Sequence, residues 1–269
     1  MKIETCISCQ GEKDFSLAKK TNIQTDALII SQCGEKGMLE EEIDGHRVRL
    51  LLSDETGLCN SRNIAIEKAE GDVILFCDDD EHLYRFHDQT IKDAYERLPD
   101  ADLICFRFAN QPSRLQQYEQ ALNKWTCLRI SSWQISAKRA SLLDHGIRFD
   151  PRMGAGSGNG AGEEGKFLRD CLGMGLKVYY VPADIGTVDN RYYESGQAQG
   201  TWFTGYDRRF FYQRGTSTRY VMGLVPSVAY AAYYAVVKRK QFAGQMHPAK
   251  AFLYTLQGIA GNDIGRKEA

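Results

Sequence analysis

Residues 71–82 read GDVILFCDDDEH, an apolar run that ends in three adjacent aspartates, Asp78, Asp79 and Asp80. The run DVILFC has the length and composition of a strand that is buried on both faces of its sheet. Because ionised aspartates are costly to bury, three in a row indicate that the strand ends at an edge of the sheet. Ligands of parallel α/β sheets bind beyond the carboxyl ends of the strands, so we expect these carboxylates at a binding site.

Apolar runs of strand-like composition recur along the chain, and segments with helical patterns separate them. Continuous apolar strands alternating with helices predict an α/β fold with a mainly parallel sheet that helices cover on both faces. One helix is predicted over 61–71, with Ser61 as its cap residue, and another over 163–175, with Phe167 and Cys171 on its apolar face. The other predicted strands are IETCIS (3–8), DALIIS (26–31), HRVRLLL (46–52), DLICFRF (102–108) and KVYYVP (177–182).

The composition excludes several classes of protein. The 269 residues contain 34 Lys and Arg against 35 Asp and Glu, and this balance argues against a general nucleic-acid binder. The first residues, MKIETCISCQGEKDF, are too polar for a signal peptide, and the eight cysteines are scattered, so we expect a reducing, cytoplasmic setting. Cys6 and Cys9 lack the second pair that a structural zinc site requires.

The chemistry of the three aspartates alone allows two interpretations. Alternate residues of an extended chain point the same way, so Asp78 and Asp80 can face one ligand while Asp79 points elsewhere. Carboxylate oxygens are the ligands that Mg²⁺ or Mn²⁺ prefers, and such ions bridge phosphates. A solvated acidic turn or a helix cap explains the same three residues equally well.

The preceding segment, DETGLCNSRNIAIEKAEGDVILFCDDD (54–80), resembles the family 2 glycosyltransferases of the GT-A fold. In that family a G-x-x-x-SRN-x-G/A-I helix precedes a strand that ends in a D-x-D motif. The resemblance implies that Asp78 and Asp80 hold Mn²⁺ or Mg²⁺ together with the sugar nucleotide, that Asp79 borders the same site, and that Arg62 lies near the diphosphate.

The resemblance also implies a nucleotide pocket at the ends of the first two strands. Family members commonly have Pro-Thr and paired aspartates there, whereas this chain has Ser8-Cys9-Gln10 and Ser31-Gln32. Ser8 and Gln32 are therefore the expected nucleotide contacts, with UDP as the default nucleotide.

A second segment, FDPRMGAGSGNGAGEEGKFLRDCLGMGLKVYYVP (149–182), resembles the acceptor side of the same family. An inverting transfer needs a base that takes the proton of the acceptor hydroxyl as its oxygen attacks the anomeric carbon. The family places this base on the second residue of a Glu-Asp pair, which here is Glu164, with Glu163 beside it. A structural alternative is that both carboxylates only complement the positive end of the helix dipole.

The character of the chain changes after about residue 215, and we expect a glycosyltransferase domain over 1–215 and a helical segment over 216–269. Residues 220–240 are mostly apolar and end in Lys238, Arg239 and Lys240, and 249–261 has an amphipathic helical pattern. The region 220–261 either lies on an anionic membrane surface, at the inner face of the plasma membrane, or packs on the domain.

The expected function is inverting, metal-dependent transfer of a sugar from a nucleotide donor to a glycan or lipid-linked acceptor, in surface polysaccharide synthesis. Trp202 could stack on a sugar of that acceptor, although it could equally belong to the core. Two alternatives stay open. One is a nucleotidyltransferase that makes a nucleotide-sugar, and the other is a non-catalytic module that binds a sugar nucleotide.

Overall fold

The computed structural model describes residues 1–112, 115–157, 159, 162–189 and 205–261. Within them, ten strands form one sheet. The strands are β1 Ile3–Gln10, β2 Asp26–Gln32, β3 Gly37–Ile43, β4 His46–Ser53, β5 Val73–Asp78, β6 Glu81–Leu83, β7 Leu103–Phe108, β8 Gln120–Ala121, β9 Ile135–Lys138 and β10 Val178–Val188. The helices are α1 Ser16–Thr21, α2 Leu58–Lys68, α3 His87–Arg97, α4 Arg139–Asp144, α5 Glu163–Gly173, α6 Arg208–Met222, α7 Leu224–Val237 and α8 Pro248–Gly261.

The sheet is mainly parallel, as predicted. Its order is β3-β4-β2-β1-β5-β9-β7-β10-β6, and β8 pairs with β10 beside this path. Strands β4, β2, β1 and β5 are parallel neighbours, and so are β7 and β10. All six strands predicted from apolar runs are present. Five have bounds within two residues of those expected, and β10 extends to Val188, beyond its expected end at residue 182.

Four strands that pair antiparallel with their neighbours were not predicted, namely β3, β6, β8 and β9. Strand β3 pairs with β4 through a two-residue turn, Asp44-Gly45, whose φ angles of 52° and 81° suit a tight hairpin. The Asp-Gly dipeptide was the available signal for this hairpin. Strand β9 lies antiparallel between β5 and β7, and its four residues, ISAK, are too few and too mixed to predict a buried strand.

The core covers both faces of the sheet because successive residues of each strand point to opposite sides. On β5, Ile74 and Phe76 pack in the cluster that contains residues of α2 and α5, whereas Val73, Leu75 and Cys77 pack in the cluster that contains residues of α1 and α3. All five side chains are fully buried or nearly so. The α/β fold with flanking helices is therefore confirmed.

Helix α2 begins earlier than the sequence suggested. Its N-cap is Gly57, whose φ of 99° favours glycine, and its first residue is Leu58. The prediction that Ser61 caps this helix is wrong, because Ser61 lies inside the helix and its hydroxyl bonds to Ser8 instead of to the helix end. Helix α5 matches its predicted start at Glu163, and Phe167 and Cys171 on its apolar face are buried.

The chain divides into two compact units, 1–149 with 164–192 and 150–163 with 193–269. The first contains the sheet and α1 to α4, with nearly all of α5. The second contains α6, α7 and α8, with an aromatic cluster of its own. The predicted division between 215 and 216 falls inside α6, which is continuous from Arg208 to Met222.

In the second unit, α6 and α8 approach so closely that side chains are excluded where they meet. A Cβ atom on Gly215 would lie 2.0 Å from the carbonyl oxygen of Thr255, and one on Gly258 would lie 1.9 Å from that of Tyr212.

The apolar stretch that the sequence suggested over 220–240 is interrupted at Gly223, with a φ of 86°, between α6 and α7. No described helix is both long and apolar enough to cross a membrane.

Candidate active site

The carboxyl ends of the central parallel strands bring the predicted donor-site residues to one edge of the sheet. Ser8 on β1 is the register partner of Asp78 on β5. On the other side, Gln32 at the end of β2 is the partner of Gln10 on β1 and of Ser53 on β4. This edge is where parallel α/β sheets bind their ligands.

The aspartates form a turn that other parts of the chain hold in place. Asp78 ends β5, and β6 begins at Glu81. The carbonyl oxygen of Asp79 accepts a hydrogen bond of 2.7 Å from Nζ of Lys20, and that of Asp80 accepts one of 2.6 Å from the backbone N–H of Asp189. Lys20 and Asp189 were not predicted from the sequence, since no local pattern connects them to residues so distant in the chain.

Arg62 is the partner of Asp78. Its Nη2 atom lies 2.9 Å from Oδ1 and 3.2 Å from Oδ2 of Asp78, and the arginine is only 1% exposed. The Asp78 side chain retains 24% exposure, so one side of its carboxylate remains accessible to a ligand. Arg62 was predicted to lie near the diphosphate. Its geometry favours an indirect role there, in which it fixes the orientation of Asp78.

The same guanidinium connects the aspartate turn to α5 through aromatic rings. Cζ of Arg62 lies 5.4 Å from the ring centroid of Phe149. The Phe149 ring stacks on that of Phe167, with centroids 3.9 Å apart and planes 2° apart. A path of contacts therefore runs from Asp78 through Arg62 and Phe149 to Phe167 on α5, one helical turn after Glu164.

The flanking residues of the Ser61-Arg62-Asn63 motif also make defined contacts. The Ser61 and Ser8 hydroxyls are 2.8 Å apart, which joins α2 to β1. The Asn63 side chain donates to the carbonyl oxygen of Phe149 at 2.9 Å and accepts from its backbone N–H at 2.8 Å. Each residue of the motif therefore positions a different part of the site.

The two residues predicted to contact the nucleotide are both engaged with protein groups. Ser8 is 8% exposed, and its hydroxyl is in the contact with Ser61. Nε2 of Gln32 donates to the carbonyl oxygen of Gly57, the cap of α2, at 2.9 Å. Gln32 is partly exposed and Ser8 is not, so Gln32 is the more accessible of the two.

Acidic side chains crowd together at the aspartate turn. Burial, and then the carboxylates of Asp78 and Asp79, raise the pKa of Asp80 to about 7. Burial followed by the charge of Asp78 raises the pKa of Asp79. The following residue, Glu81, is 2% exposed, and burial raises its pKa well above the usual range while its Oε1 accepts the backbone N–H of Asp78 at 2.8 Å.

The carboxylates of Asp78 and Asp80 fit a divalent cation that the phosphates of a nucleotide would also bind. Among the residues that the structure describes, no three His, Cys, Asp or Glu side chains form a complete metal cage. Mg²⁺ in nucleotide enzymes is usually held by one or two carboxylates together with the substrate phosphates, so a full protein cage is not required. Burial is the main cause of the raised pKa of Asp80, and a cation bound to Asp78 and Asp80 would offset both this cost and the repulsion between the carboxylates.

The candidate bases differ in accessibility. Helix α5 begins at Glu163, which is 6% exposed, whereas Glu164 is partly exposed. Both carboxylates lie at the N-terminus of α5, which is the positive end of the helix dipole. Trp202 lies outside the described residues.

The comparisons with known proteins agree with the fold and with the first motif block. Residues 30–152 match the model of the family described as glycosyl transferase family 2. No curated protein sequence matches the chain. The family match ends before Glu163 and Glu164, and their role stays a prediction.

Solved structures with low sequence identity share the fold. TarS 1–349 of S. aureus in complex with UDP is 11% identical, with a TM-score of 0.54 over 96% of this chain and 81% of that chain. The complex of TarS 1–349 with UDP-GlcNAc is 12% identical, with a TM-score of 0.52 over 100% and 93%. The mannosyltransferase PcManGT from Pyrobaculum calidifontis, in complex with GDP-Man and Mn²⁺, is 11% identical, with a TM-score of 0.50 over 96% and 86%.

The resemblance predicted from residues 54–80 is thus confirmed independently by the family match and by the architecture of the sheet. The chain has the GT-A fold, and its residues 30–152 match the model of glycosyl transferase family 2.

Proposed function

We propose that this protein is an inverting, metal-dependent glycosyltransferase that moves one sugar from a nucleotide donor to a hydroxyl of a glycan or lipid-linked acceptor. The observation that carries the proposal is the acidic turn Asp78–Asp80 at the carboxyl end of β5, inside the residues that match family 2. The neighbours crystallised with UDP, UDP-GlcNAc or GDP-Man support a nucleotide-sugar as the donor. UDP is the nucleotide that we test first.

The donor end of the reaction depends on Asp78 and Asp80. These carboxylates would hold Mg²⁺ or Mn²⁺, which when bound offsets the charge that collects on the departing nucleoside diphosphate. Arg62 keeps the Asp78 carboxylate oriented toward the donor, because its ion pair occupies the protein side of that group. Lys20 and Asp189 hold the backbone of the turn, so the two carboxylates are preorganised.

The acceptor end depends on a base, for which we propose Glu164. The acceptor oxygen forms a bond to the anomeric carbon, and the bond from that carbon to the diphosphate oxygen breaks. Glu164 takes the hydroxyl proton, and attack opposite the leaving group inverts the anomeric configuration. We prefer Glu164 to Glu163 because a base must reach the acceptor, and Glu163 is only 6% exposed.

Transfer and donor hydrolysis assays with UDP-sugars, with Mn²⁺ or with a chelator, test this proposal. We expect UDP release that requires the metal and falls at least about a hundredfold in Asp80→Asn. Asp88→Asn is the matched control, since Asp88 is an aspartate on α3 that pairs with Lys92. Activity that Asp80→Asn leaves unchanged would refute the assignment.

The same assays separate the two alternatives. A nucleotidyltransferase would release pyrophosphate from a nucleoside triphosphate and a sugar phosphate. A binding module would bind the sugar nucleotide, measured by calorimetry, without any release of UDP. A cytoplasmic location and a role in surface polysaccharide synthesis belong to the proposal, and activity on lipid-linked glycan acceptors would support them.

A further inference from the structure

Helix α7 of the second unit has an apolar surface on the side that faces away from the protein. Its buried residues are small or polar in part, namely Ser227, Ala231, Tyr234 and Ala235. Every exposed residue of this helix is apolar or aromatic, which reverses the usual pattern of a surface helix. We call this surface the α7 face. Besides two alanines, it consists of Leu224, Val225, Val228, Tyr233, Val236 and Val237, which are between 38% and 77% exposed.

Positive charge accompanies the α7 face. Lys238, Arg239 and Lys240 follow the helix directly, and Arg239 and Lys240 are exposed. The ammonium group of Lys238 lies 6.0 Å from the ring centroid of Tyr233, so the charge borders the apolar surface. Between residues 205 and 261 the sequence contains eight Lys and Arg residues and a single acidic residue, Asp207, although the whole chain has a net charge of −1.

We propose that the α7 face lies in the surface layer of a bilayer that contains anionic phospholipids. An apolar helix surface bordered by Lys and Arg matches the apolar tails and anionic head groups of such a layer. The 14 residues of α7 extend about 21 Å, at 1.5 Å per residue, which is shorter than the hydrocarbon thickness of about 30 Å. The helix therefore lies along the surface, with its other side packed on the protein.

Charge also distinguishes this partner from a second copy of the chain. A symmetric dimer through the α7 face would place the same surface of two molecules together. With the two helices parallel, the basic segments would approach and repel each other. With the helices antiparallel, each basic segment would meet the apolar helix of the other copy, because Asp207 is the single acidic residue between 205 and 261. In an anionic bilayer, the acyl chains complement the apolar side chains of the α7 face, and the head groups complement the Lys and Arg residues beside it.

Flotation of the full chain with lipid vesicles tests the proposal. We expect binding to vesicles of phosphatidylcholine mixed with phosphatidylglycerol, and much weaker binding to phosphatidylcholine alone or at high salt. Combining Val225→Glu with Val236→Glu should weaken binding to the mixed vesicles at least about tenfold, because both carboxylates would enter the apolar layer. Replacing Arg239 and Lys240 with Gln should also weaken it about tenfold or more, since each removes an attraction to the anionic surface.

Met38→Glu combined with Leu39→Glu is the matched control. These apolar residues are also exposed, at 49% and 46%, but lie on β3 in the first unit, and binding should be unchanged. Circular dichroism and thermal melting establish that each variant is folded. Asp80→Asn should bind vesicles like the wild type, so this proposal and the proposed enzymatic activity can fail separately.

Three results would overturn the proposal. One is a wild-type protein that binds neither kind of vesicle, as it would if another segment of the chain covered the α7 face. A second is unchanged binding in the folded Val225→Glu, Val236→Glu variant. The third is a dimer, detected by light scattering, that this variant dissociates in the absence of any vesicle binding, which would assign the face to a second copy.

Discussion

Nη2 of Arg62 lies 2.9 Å from Oδ1 of Asp78, and this buried ion pair connects the helix before β5 to the acidic turn after it. The arginine also lies over the ring of Phe149, which stacks on Phe167 of α5. One side chain thus links the two sequence segments that resemble the donor and acceptor sides of family 2 enzymes. The orientation of the Asp78 carboxylate and the packing of the Phe149 ring therefore both involve the Arg62 guanidinium.

We expect Arg62→Met to lower the free energy of unfolding by about 2 kcal/mol. Removing one partner of a buried ion pair costs about 3–5 kcal/mol, and water reaching the exposed part of Asp78 should recover some of this. A double-mutant cycle with Asp78→Asn, measured by urea unfolding, should show coupling of about 1 kcal/mol or more.

Arg148→Met is the control for this cycle. Nη2 of Arg148 lies 3.8 Å from Glu67 in an exposed pair, so its loss should change stability by no more than about 0.5 kcal/mol. Strictly additive effects of Arg62→Met and Asp78→Asn would contradict the importance of the ion pair.

The parts of the site that could be predicted are those encoded in contiguous sequence. The strand DVILFC and the aspartates at its end were predictable from adjacent residues, because the sequence changes from apolar to acidic between Cys77 and Asp78. The motif at Ser61, Arg62 and Asn63 was recognisable by its spacing. Its contacts were not, because Arg62 has two plausible partners in sequence terms, a phosphate and an aspartate.

The parts that could not be predicted depend on pairing across long distances. Lys20 reaches the carbonyl of Asp79 across 59 positions, and no local pattern distinguishes it from other surface lysines. Strand β9 pairs antiparallel with both β5 and β7, and no pattern in its four residues identifies these partners. Glu81 would be read as a fourth exposed acid, whereas the pairing of β6 with β10 buries it.

Gly258→Ala should destabilise the second unit by about 2–4 kcal/mol. The added Cβ atom would lie 1.9 Å from the carbonyl oxygen of Tyr212, and two packed helices must separate to accept it. In Gly173→Ala, the control at the end of α5, the new methyl group meets nothing within 4 Å, and a gain of up to about 0.5 kcal/mol is expected from helix propensity. Chemical denaturation measures both, and equal effects would disprove the close contact of α6 and α8.

Asp150 should make the stability of the second unit depend on pH. Burial alone would raise its pKa, but hydrogen bonds from Arg152 and Tyr220 hold the pKa below its ordinary value. With a depressed pKa in the folded state, its stabilisation is present above the ordinary carboxyl pKa and is lost as the pH falls below it. The stability difference between wild type and Asp150→Asn, from urea unfolding at several pH values, should therefore shrink on acidification. A constant difference down to pH 3 would argue against this ion pair.

Glu164→Gln should leave donor binding intact and lower turnover by several orders of magnitude. The amide keeps the size and most hydrogen bonds of the carboxylate but cannot take the proton of the acceptor hydroxyl. Titration calorimetry with the nucleotide-sugar measures binding, and the transfer assay measures turnover. Glu163→Gln is the comparison, because this carboxylate is 6% exposed and should affect stability more than turnover. If Glu163→Gln abolishes turnover and Glu164→Gln does not, Glu163 is the base and α5 presents its first residue to the acceptor.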